Sequence, residues 1–279
     1  MIALVLAAIL GASAPPALER ETVAACLGTP AFALNMPALA KARAQVDDLQ
    51  WRDACRAARE ADARRRAAIK TLFATGRSPI GAYPVTTELV KQARAGQSDV
   101  HRQLFENVAR DQAARESTSA AAKAAFAPGA SPLVLQLADG LSSAEALQAD
   151  AANQAWLARV VAERGWFTIS RDGAAADQAA RLIVQHADAD PAFQRRMIAL
   201  LEPLAENRET NRRLFAFTFD RWARNTDNPQ RFGIMGSCSG SGVWTPREVE
   251  EPARLDQRRA WAGLPAMTDY VAEQAARCR

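Results

Sequence analysis

The feature that most constrains this chain is the helical spacing of its small and apolar residues, which is interrupted where glycine and proline occur. From about residue 38 to 73, 86 to 95 and 100 to 125, apolar residues recur at intervals of three and four. A further helix is predicted over about residues 142–164, and a final one over residues 255–276 with an interruption near Gly263-Leu264-Pro265. Alanine dominates the apolar residues and arginine the basic ones, and both favour helix. We therefore predict an all-α fold: a multi-helix domain with a long Gly/Ser-rich loop, preceded by a small helical N-terminal segment.

The first residues of the chain predict export. Residues 2–10 are uninterruptedly apolar and are followed by small residues, which is the layout of a secretory signal peptide. The apolar run is too short to span a bilayer. We predict a signal peptide in residues 1–17, a helical N-terminal segment in residues 18–97 and a helical domain in residues 98–279. The mature protein is expected to be periplasmic or secreted, with no membrane span after signal removal.

Four cysteines in an exported chain predict two disulfides out of three possible pairings. The local solution joins Cys26 to Cys55 and Cys238 to Cys278. Each bond would contribute about 3–4 kcal/mol by restricting the unfolded chain. The sequence contains no CxxC pair and only two histidines, so we expect neither a metal site nor a cofactor.

The charge distribution argues against nucleic acid as a partner. The net charge of +4 comes from 35 basic and 31 acidic residues. These charges are spread along the chain, whereas a surface that follows a phosphate backbone needs a concentrated basic patch. We therefore expect no nucleic-acid binding.

The C-terminal half carries the candidate chemistry. A helix predicted over residues 173–188 places His186 on its apolar face, and Asp190 followed by Pro191 is typical of a helix start. Residues 214–222 are apolar nearly all round and predict a buried helix that includes Asp220 and Arg221. Residues 232–242 are rich in glycine and serine and predict a long loop.

A series of short motifs follows in order between about residues 106 and 270. They are Asp111-Gln112 with Arg115, Asn153, Gly165-Trp166, Gly173, Gln185-His186-Ala187-Asp188, Phe193-Gln194, Asp220-Arg221, Gln230-Arg231-Phe232-Gly233, Asp256 with Arg258-Arg259, Gly263-Leu264 and Tyr270. The ordered set resembles a bacterial family, domain of unknown function 6624 (DUF6624). The resemblance implies that the polar members form a shared constellation, and it supplies no reaction. The chain departs from the pattern at Ile234-Met235, where the family commonly has Thr-Gln.

These residues lead to two hypotheses for function. The first is a ligand- or partner-binding module for a small anionic ligand or a protein, because arginine binds carboxylates and phosphates in a bidentate manner. Its expected ligand-binding residues are Gln185, Gln194, Arg221, Gln230, Arg231 and Arg259. In its protein-binding form, the loop 232–248 with Trp244 presents the surface.

The alternative is a hydrolase-like enzyme. His186 would be the general base, since an imidazole has an ordinary pKa of about 6.5, and Asp220 would assist it. Arg221, Arg231 and Arg259 would hold an anionic substrate. A lone histidine on an apolar helix face is more often a hydrogen-bonded core residue, and Asp220-Arg221 with Asp256 and Arg259 also fits a structural ion-pair network. The sequence therefore leaves open whether the chain is an enzyme.

Overall fold

The computed structural model describes residues 23–28 and 36–279. The predicted signal peptide lies outside the described residues. The chain forms two compact units, which divide between Asn153 and Gln154. This division falls inside one long helix, and the boundary expected near residue 97 stays a prediction.

Unit 1 is built from helices, as the all-α prediction requires. Its elements are α1 (Met36–Arg43), α2 (Asp48–Thr75), α3 (Pro84–Ala95), α4 (Asp99–Glu116), α5 (Ala120–Phe126) and the first part of α6 (Pro132–Arg164). Residues 23–27 form a further helical turn. α3 and α4 pack closely together, and α2 packs against both α3 and α5.

Two helix boundaries differ from the sequence expectation. The helix expected over residues 100–125 is divided, because α4 ends at Glu116 and Ser119 caps α5 by accepting the Ala122 N–H at 3.2 Å. The helix expected to begin near residue 142 begins instead at Pro132. Proline is well suited to the first position of a helix, and the Ser131 hydroxyl accepts the Val134 N–H at 3.4 Å.

A disulfide fastens the N-terminal part of unit 1. Cys26 is bonded to Cys55, as the local pairing predicts. Both cysteines are buried in an apolar cluster that includes Leu39, Trp51 and Leu137. The disulfide thus joins the short helical turn to α2 at a place that also excludes water.

Unit 2 contains the rest of α6 and most of the residues expected to form a site. Its elements are α7 (Ile169–Asp172), α8 (Ala174–His186), α9 (Pro191–Glu206), α10 (Arg212–Asn225), β1 (Gly236–Gly240), β2 (Val243–Pro246), a 3-10 turn (Pro252–Arg254), α11 (Leu255–Trp261) and α12 (Met267–Ala275). α8, α9 and α10 pack against one another. Asp190 caps α9 by accepting the Phe193 N–H at 2.9 Å, and α9 continues three residues past Pro203.

Part of the predicted Gly/Ser-rich loop is a β-hairpin. β1 and β2 are antiparallel, with Gly236 opposite Pro246 and Cys238 opposite Trp244. The hairpin forms here because Gly236 lacks a side chain: a Cβ at this position would lie 2.3 Å from the Trp244 ring. Cys238 is bonded to Cys278, as predicted, so the hairpin is fixed to the C-terminal end of the chain.

Helices in the part of the chain that the structure describes are too short or too polar to cross a membrane.

Candidate functional site

Six of the eight predicted site residues of unit 2 fall into two hydrogen-bonded groups, and His186 and the Arg231 side chain lie outside them. Asp220 and Arg221 are neighbours on α10, so their side chains leave the helix about 100° apart. Arg221 joins a group at the end of α8 with Gln185 and Gln194. Asp220 joins a second group with Gln230 and Arg259, around the segment that follows α10.

The first group surrounds Asp188, which lies just beyond α8. Its carboxylate accepts Arg221 Nε at 2.9 Å, Asn225 Nδ2 at 2.7 Å and Gln194 Nε2 at 3.3 Å. Burial acts to raise the pKa of Asp188, but these donors and the Arg221 charge outweigh it and hold the pKa below its ordinary value. Arg221 therefore already binds the Asp188 carboxylate through two nitrogens, Nε and Nη2.

The two glutamines of this group connect helices. Gln194 is fully buried and donates to the Val184 carbonyl at 3.1 Å. Gln185 accepts Arg181 Nη1 at 2.8 Å, and the same nitrogen donates to the Thr218 hydroxyl at 3.1 Å. Burial lowers the pKa of Arg181 to about 10. The group holds α8, α9 and α10 together through polar side chains.

Asp220 organises the second group. It is fully buried, and its carboxylate accepts backbone N–H groups from Arg231 at 2.9 Å, Phe232 at 3.1 Å and Ile234 at 2.8 Å. Burial raises the pKa of Asp220 to about 6, against the lowering effect of these donors and of the nearby Arg259. Both carboxylate oxygens face the backbone of residues 231–234, so the geometry gives Asp220 a structural role.

Gln230 and Arg259 hold the same segment. Gln230 Nε2 donates to the carbonyls of Met235 at 2.8 Å and Arg247 at 3.1 Å. Arg259 is fully buried and donates to the carbonyls of Phe232 at 2.6 Å and Pro265 at 2.7 Å, and burial lowers its pKa. These side chains bind backbone rather than an open space.

The departure at Ile234-Met235 has a simple explanation in this geometry. Ile234 contributes its N–H to Asp220 and its carbonyl to Tyr270 Oη at 3.1 Å. Met235 contributes its N–H and carbonyl to Gln230. Because the backbone makes these contacts, they do not depend on threonine and glutamine side chains.

Arg231 is the predicted arginine that lies beside open space. Its Nε donates to Glu250 at 2.9 Å, and its Nη1 pairs with Glu202. Its guanidinium lies 4.1 Å from the centre of the Phe219 ring. Burial acts to lower its pKa, but the two carboxylates outweigh burial and raise it.

A cleft of about 580 Å³ opens beside this ion-pair group. Its charged walls come from the end of α9, from Arg231 and from residues 250–258. Its aromatic floor consists of Phe215 on α10, Phe232 and Trp261 at the end of α11. Phe232 stacks on Trp261 with ring centres 6.2 Å apart, and Phe215 meets both rings edge-on. The volume falls within the range of small-molecule sites in proteins.

The sequence interpretation missed most of the cleft. Glu202 and Glu206 stand four residues apart on α9, opposite its apolar stripe, and this spacing places them on one face. In the sequence, that pair of glutamates and the later Trp261 were the features that could have indicated the cleft. His186, the proposed general base, is half-buried at the end of α8.

Unit 1 holds a polar group of its own. Arg115 Nε donates to Asp111 at 2.7 Å, and its Nη2 donates to both oxygens of Asp150 at 2.7 Å. Burial raises the pKa of Asp150 to about 7, with Arg115 acting to lower it and the Asp111 charge acting to raise it. The sequence interpretation named Asp111 and Arg115 as motif residues but not Asp150.

Comparison with known protein families places the chain. Residues 98–276, well over half of the chain, match the model of a family of unknown function, DUF6624. The chain belongs to this family. The DUF6624 match begins at Ser98, which caps α4 by accepting the His101 N–H. No curated protein and no solved structure matches the chain.

The DUF6624 motif residues are distributed over both units. Asp111, Gln112, Arg115 and Asn153 belong to unit 1, and the others belong to unit 2. Trp166 illustrates their local roles, because its Nε1 donates to Asp177 at 2.9 Å inside unit 2. Gly173 has φ of 85° where α7 meets α8, a conformation that other residues rarely adopt.

Proposed function

We propose that this chain is an exported binding module whose ligand site is the cleft in unit 2. The observation that carries the proposal is the combination of the half-buried Trp261, which packs on the buried rings of Phe215 and Phe232, with charged side chains on the walls of one cavity of about 580 Å³. Such a combination is typical of small-molecule sites, in which apolar surface supplies affinity and a few polar groups supply orientation.

The cleft is a better candidate than the arginine cluster expected from the sequence. Arg221 is paired with Asp188, and Arg259 is fully buried against backbone carbonyls. A ligand would have to displace those internal partners. Arg231 is also paired, but its partners Glu202 and Glu250 themselves line the cleft.

The backbone at the rim supports the same choice. Glu251 lines the cleft with φ of 40°, a left-handed conformation that is uncommon for residues other than glycine. Arg258 holds this segment by donating Nη2 to the carbonyls of Glu250 and Glu251. Strained backbone of this kind concentrates at binding and catalytic sites.

An oxidising compartment is part of the proposal. Two disulfides are present, Cys26 with Cys55 and Cys238 with Cys278. Such bonds persist in periplasmic and secreted proteins and are rare in the cytosol of most cells. The apolar run at residues 2–10 supports export by a signal peptide.

The experiment that tests the site uses the indole N–H signals of the six tryptophans in a ¹⁵N-labelled protein. A fragment library with equal shares of cations, anions and neutral compounds is added, and Trp261→Phe assigns the signal of Trp261. We expect the binding fragments to shift Trp261. Trp166, which is buried and bonded to Asp177, should stay in place.

A pair of blocking variants completes the test. Gln257→Trp places a large ring in the cleft, whereas Ala260→Trp adds the same ring to an exposed position on the same helix outside the cleft lining. Gln257→Trp should abolish the fragment shifts and Ala260→Trp should preserve them. Shifts absent from Trp261 with every fragment class would contradict the proposal.

A further inference from the structure

From the charges that line the cleft we infer that its ligand is an organic cation: an amine or guanidinium group on an apolar body. This inference rests on the proposed binding function. The charge of this ligand is opposite to that of the anion expected from the sequence. That expectation considered the arginines without the carboxylates and carbonyls that bind them.

The walls of the cleft carry more negative than positive charge. Four glutamates and three arginines line it: Glu202, Glu206, Glu250, Glu251, Arg231, Arg254 and Arg258. One of these arginines, Arg231, serves two glutamates at once, Glu202 and Glu250. That group alone therefore keeps a net negative charge beside the cavity.

The other two arginines are not arranged to receive an anion. Arg258 Nε donates to the Arg231 carbonyl at 2.7 Å, and its Nη2 donates to the carbonyls of Glu250 and Glu251. Arg254 is exposed and pairs with Glu251 at 3.3 Å. An anionic ligand would have to compete with backbone carbonyls or a carboxylate for these donors.

Glu206 offers an exposed carboxylate without an internal partner in the part of the chain that the structure describes. It is exposed on the last turn of α9, and within the described residues its side chain makes no hydrogen bond or ion pair. The guanidinium of Arg212 donates to the backbone carbonyls of Ala205 at 2.9 Å and Glu206 at 2.9 Å. Arg212 thus caps the negative end of α9 and leaves the Glu206 carboxylate for a ligand.

The floor of the cleft suits the apolar body of such a cation. Trp261 is half-buried, and its ring already holds the guanidinium of Arg212 at 4.9 Å from the ring centre. Aromatic rings attract cations through the negative charge of their faces. An ammonium group near Glu206, with its apolar body against the part of Trp261 that Phe232 and Arg212 leave exposed, would use both features of the cleft.

The test compares three probes of similar shape that differ in charge: phenethylammonium, phenylacetate and benzyl alcohol. Binding is followed by the Trp261 indole signal at low ionic strength. We expect phenethylammonium to bind at least about tenfold more tightly than phenylacetate, with benzyl alcohol between them. Added salt should weaken the phenethylammonium complex, since the charges are near the surface.

Two variants locate the charge. Glu206→Gln should weaken phenethylammonium binding by about two- to fivefold, and Glu206→Lys should weaken it by about tenfold or more. Glu163→Gln, which removes an exposed glutamate of unit 2 away from the cleft, should leave binding unchanged. Thermal unfolding checks that each variant is folded.

The outcomes separate this inference from the proposed function. The inference that the ligand is a cation fails if phenylacetate binds at Trp261 as tightly as phenethylammonium, or if Glu206→Lys has no effect. Either result would still leave the cleft as a binding site. If Trp261 responds to none of the three probes, the cation inference fails. The proposed function also fails only if no fragment of the library shifts the Trp261 indole signal.

Discussion

Units 1 and 2 both bury carboxylates, but they compensate the charge with different partners. In unit 1, Asp111 and Asp150 share the single guanidinium of Arg115. In unit 2, Asp220 is surrounded by three backbone N–H groups. In unit 1 the two carboxylates still repel each other, because they share one positive charge. In unit 2 the backbone donors fix the shape of the loop 231–234. The same residue type therefore serves as a titrating pair in one unit and as a structural anchor in the other.

The comparison also bears on where a ligand can bind. The loop that Asp220 fixes contributes Arg231 and Phe232 to the cleft of unit 2. Asp220 itself has no exposed surface. It acts on the cleft by positioning Arg231 beside the cavity and Phe232 beneath Trp261.

The largest expected effect concerns the disulfides, of which each unit has one. The pairs are separated by 29 and 40 residues, so the loop-entropy model gives about 3–4 kcal/mol for each. Replacing Cys26 and Cys55 by serine should lower the free energy of unfolding by that amount. Replacing Cys238 and Cys278 should cost less, because β1 is exposed along its whole length and can open locally. Urea denaturation of both double variants measures the difference, and equal losses would contradict it.

The next effect separates the two kinds of buried carboxylate. Asp220→Asn turns an amide donor toward a buried backbone N–H, and we expect a loss of about 2–3 kcal/mol. Asp150→Asn removes one of two like charges and keeps an acceptor for Arg115, so at pH 8 the change should stay within about 1 kcal/mol. Urea denaturation is the measurement, with the exposed Asp269→Asn as a control. Similar losses for both variants would remove the distinction between the units.

A smaller effect is expected from pH. Burial raises the pKa of Asp150 from 3.8 to about 7, so its contribution to stability is fully present below about pH 4. That contribution is lost as pH rises towards 7, and the free energy of unfolding falls by at most about 1.4 kcal/mol per pH unit. Between pH 5 and 7 the wild type should therefore lose about 1–2 kcal/mol more than Asp150→Asn. Asp220 titrates in both proteins and cancels from the difference. Parallel pH profiles would show that Asp150 does not titrate in this range.

The smallest effect concerns the hairpin of unit 2. Gly236→Ala would place a Cβ 2.3 Å from the Trp244 ring and 2.4 Å from the Thr245 carbonyl, so both the ring and the β2 backbone must shift, which disturbs the contact of Trp244 with Tyr270. We expect a loss of about 1 kcal/mol and a changed near-ultraviolet circular dichroism spectrum. Gly240→Ala is the matched control on the same strand, because nothing lies within 4 Å of its added Cβ. If both variants behave alike, the Trp244 position does not depend on Gly236.

Local sequence patterns predicted the fold well. Apolar spacing, the cap at Asp190 and the break at Gly263 to Pro265 indicated α9, α11 and α12, and proximity along the chain indicated both disulfides. The hairpin was missed, because β1 is made of glycine, serine and cysteine and lacks the β-branched residues typical of strands.

The candidate site was less predictable, for a physical reason. The sequence lists charged residues but not their partners, so Arg221 and Arg259 looked available for an anion although Asp188 and backbone carbonyls already engage them. The cleft unites residues from α9, α10, α11 and the segment between them. Only packing could reveal that Glu202 and Glu250 meet at Arg231.

The most direct test of the binding cleft is a crystal structure of the protein soaked with phenethylammonium. We expect electron density in the cleft of unit 2, with the ring against Trp261 and the nitrogen within hydrogen-bond distance of Glu206 or of the Glu202 and Glu250 carboxylates. Density for the probe only outside the cleft, in a crystal whose packing leaves the cleft open, would contradict the assignment of this cavity as the ligand site.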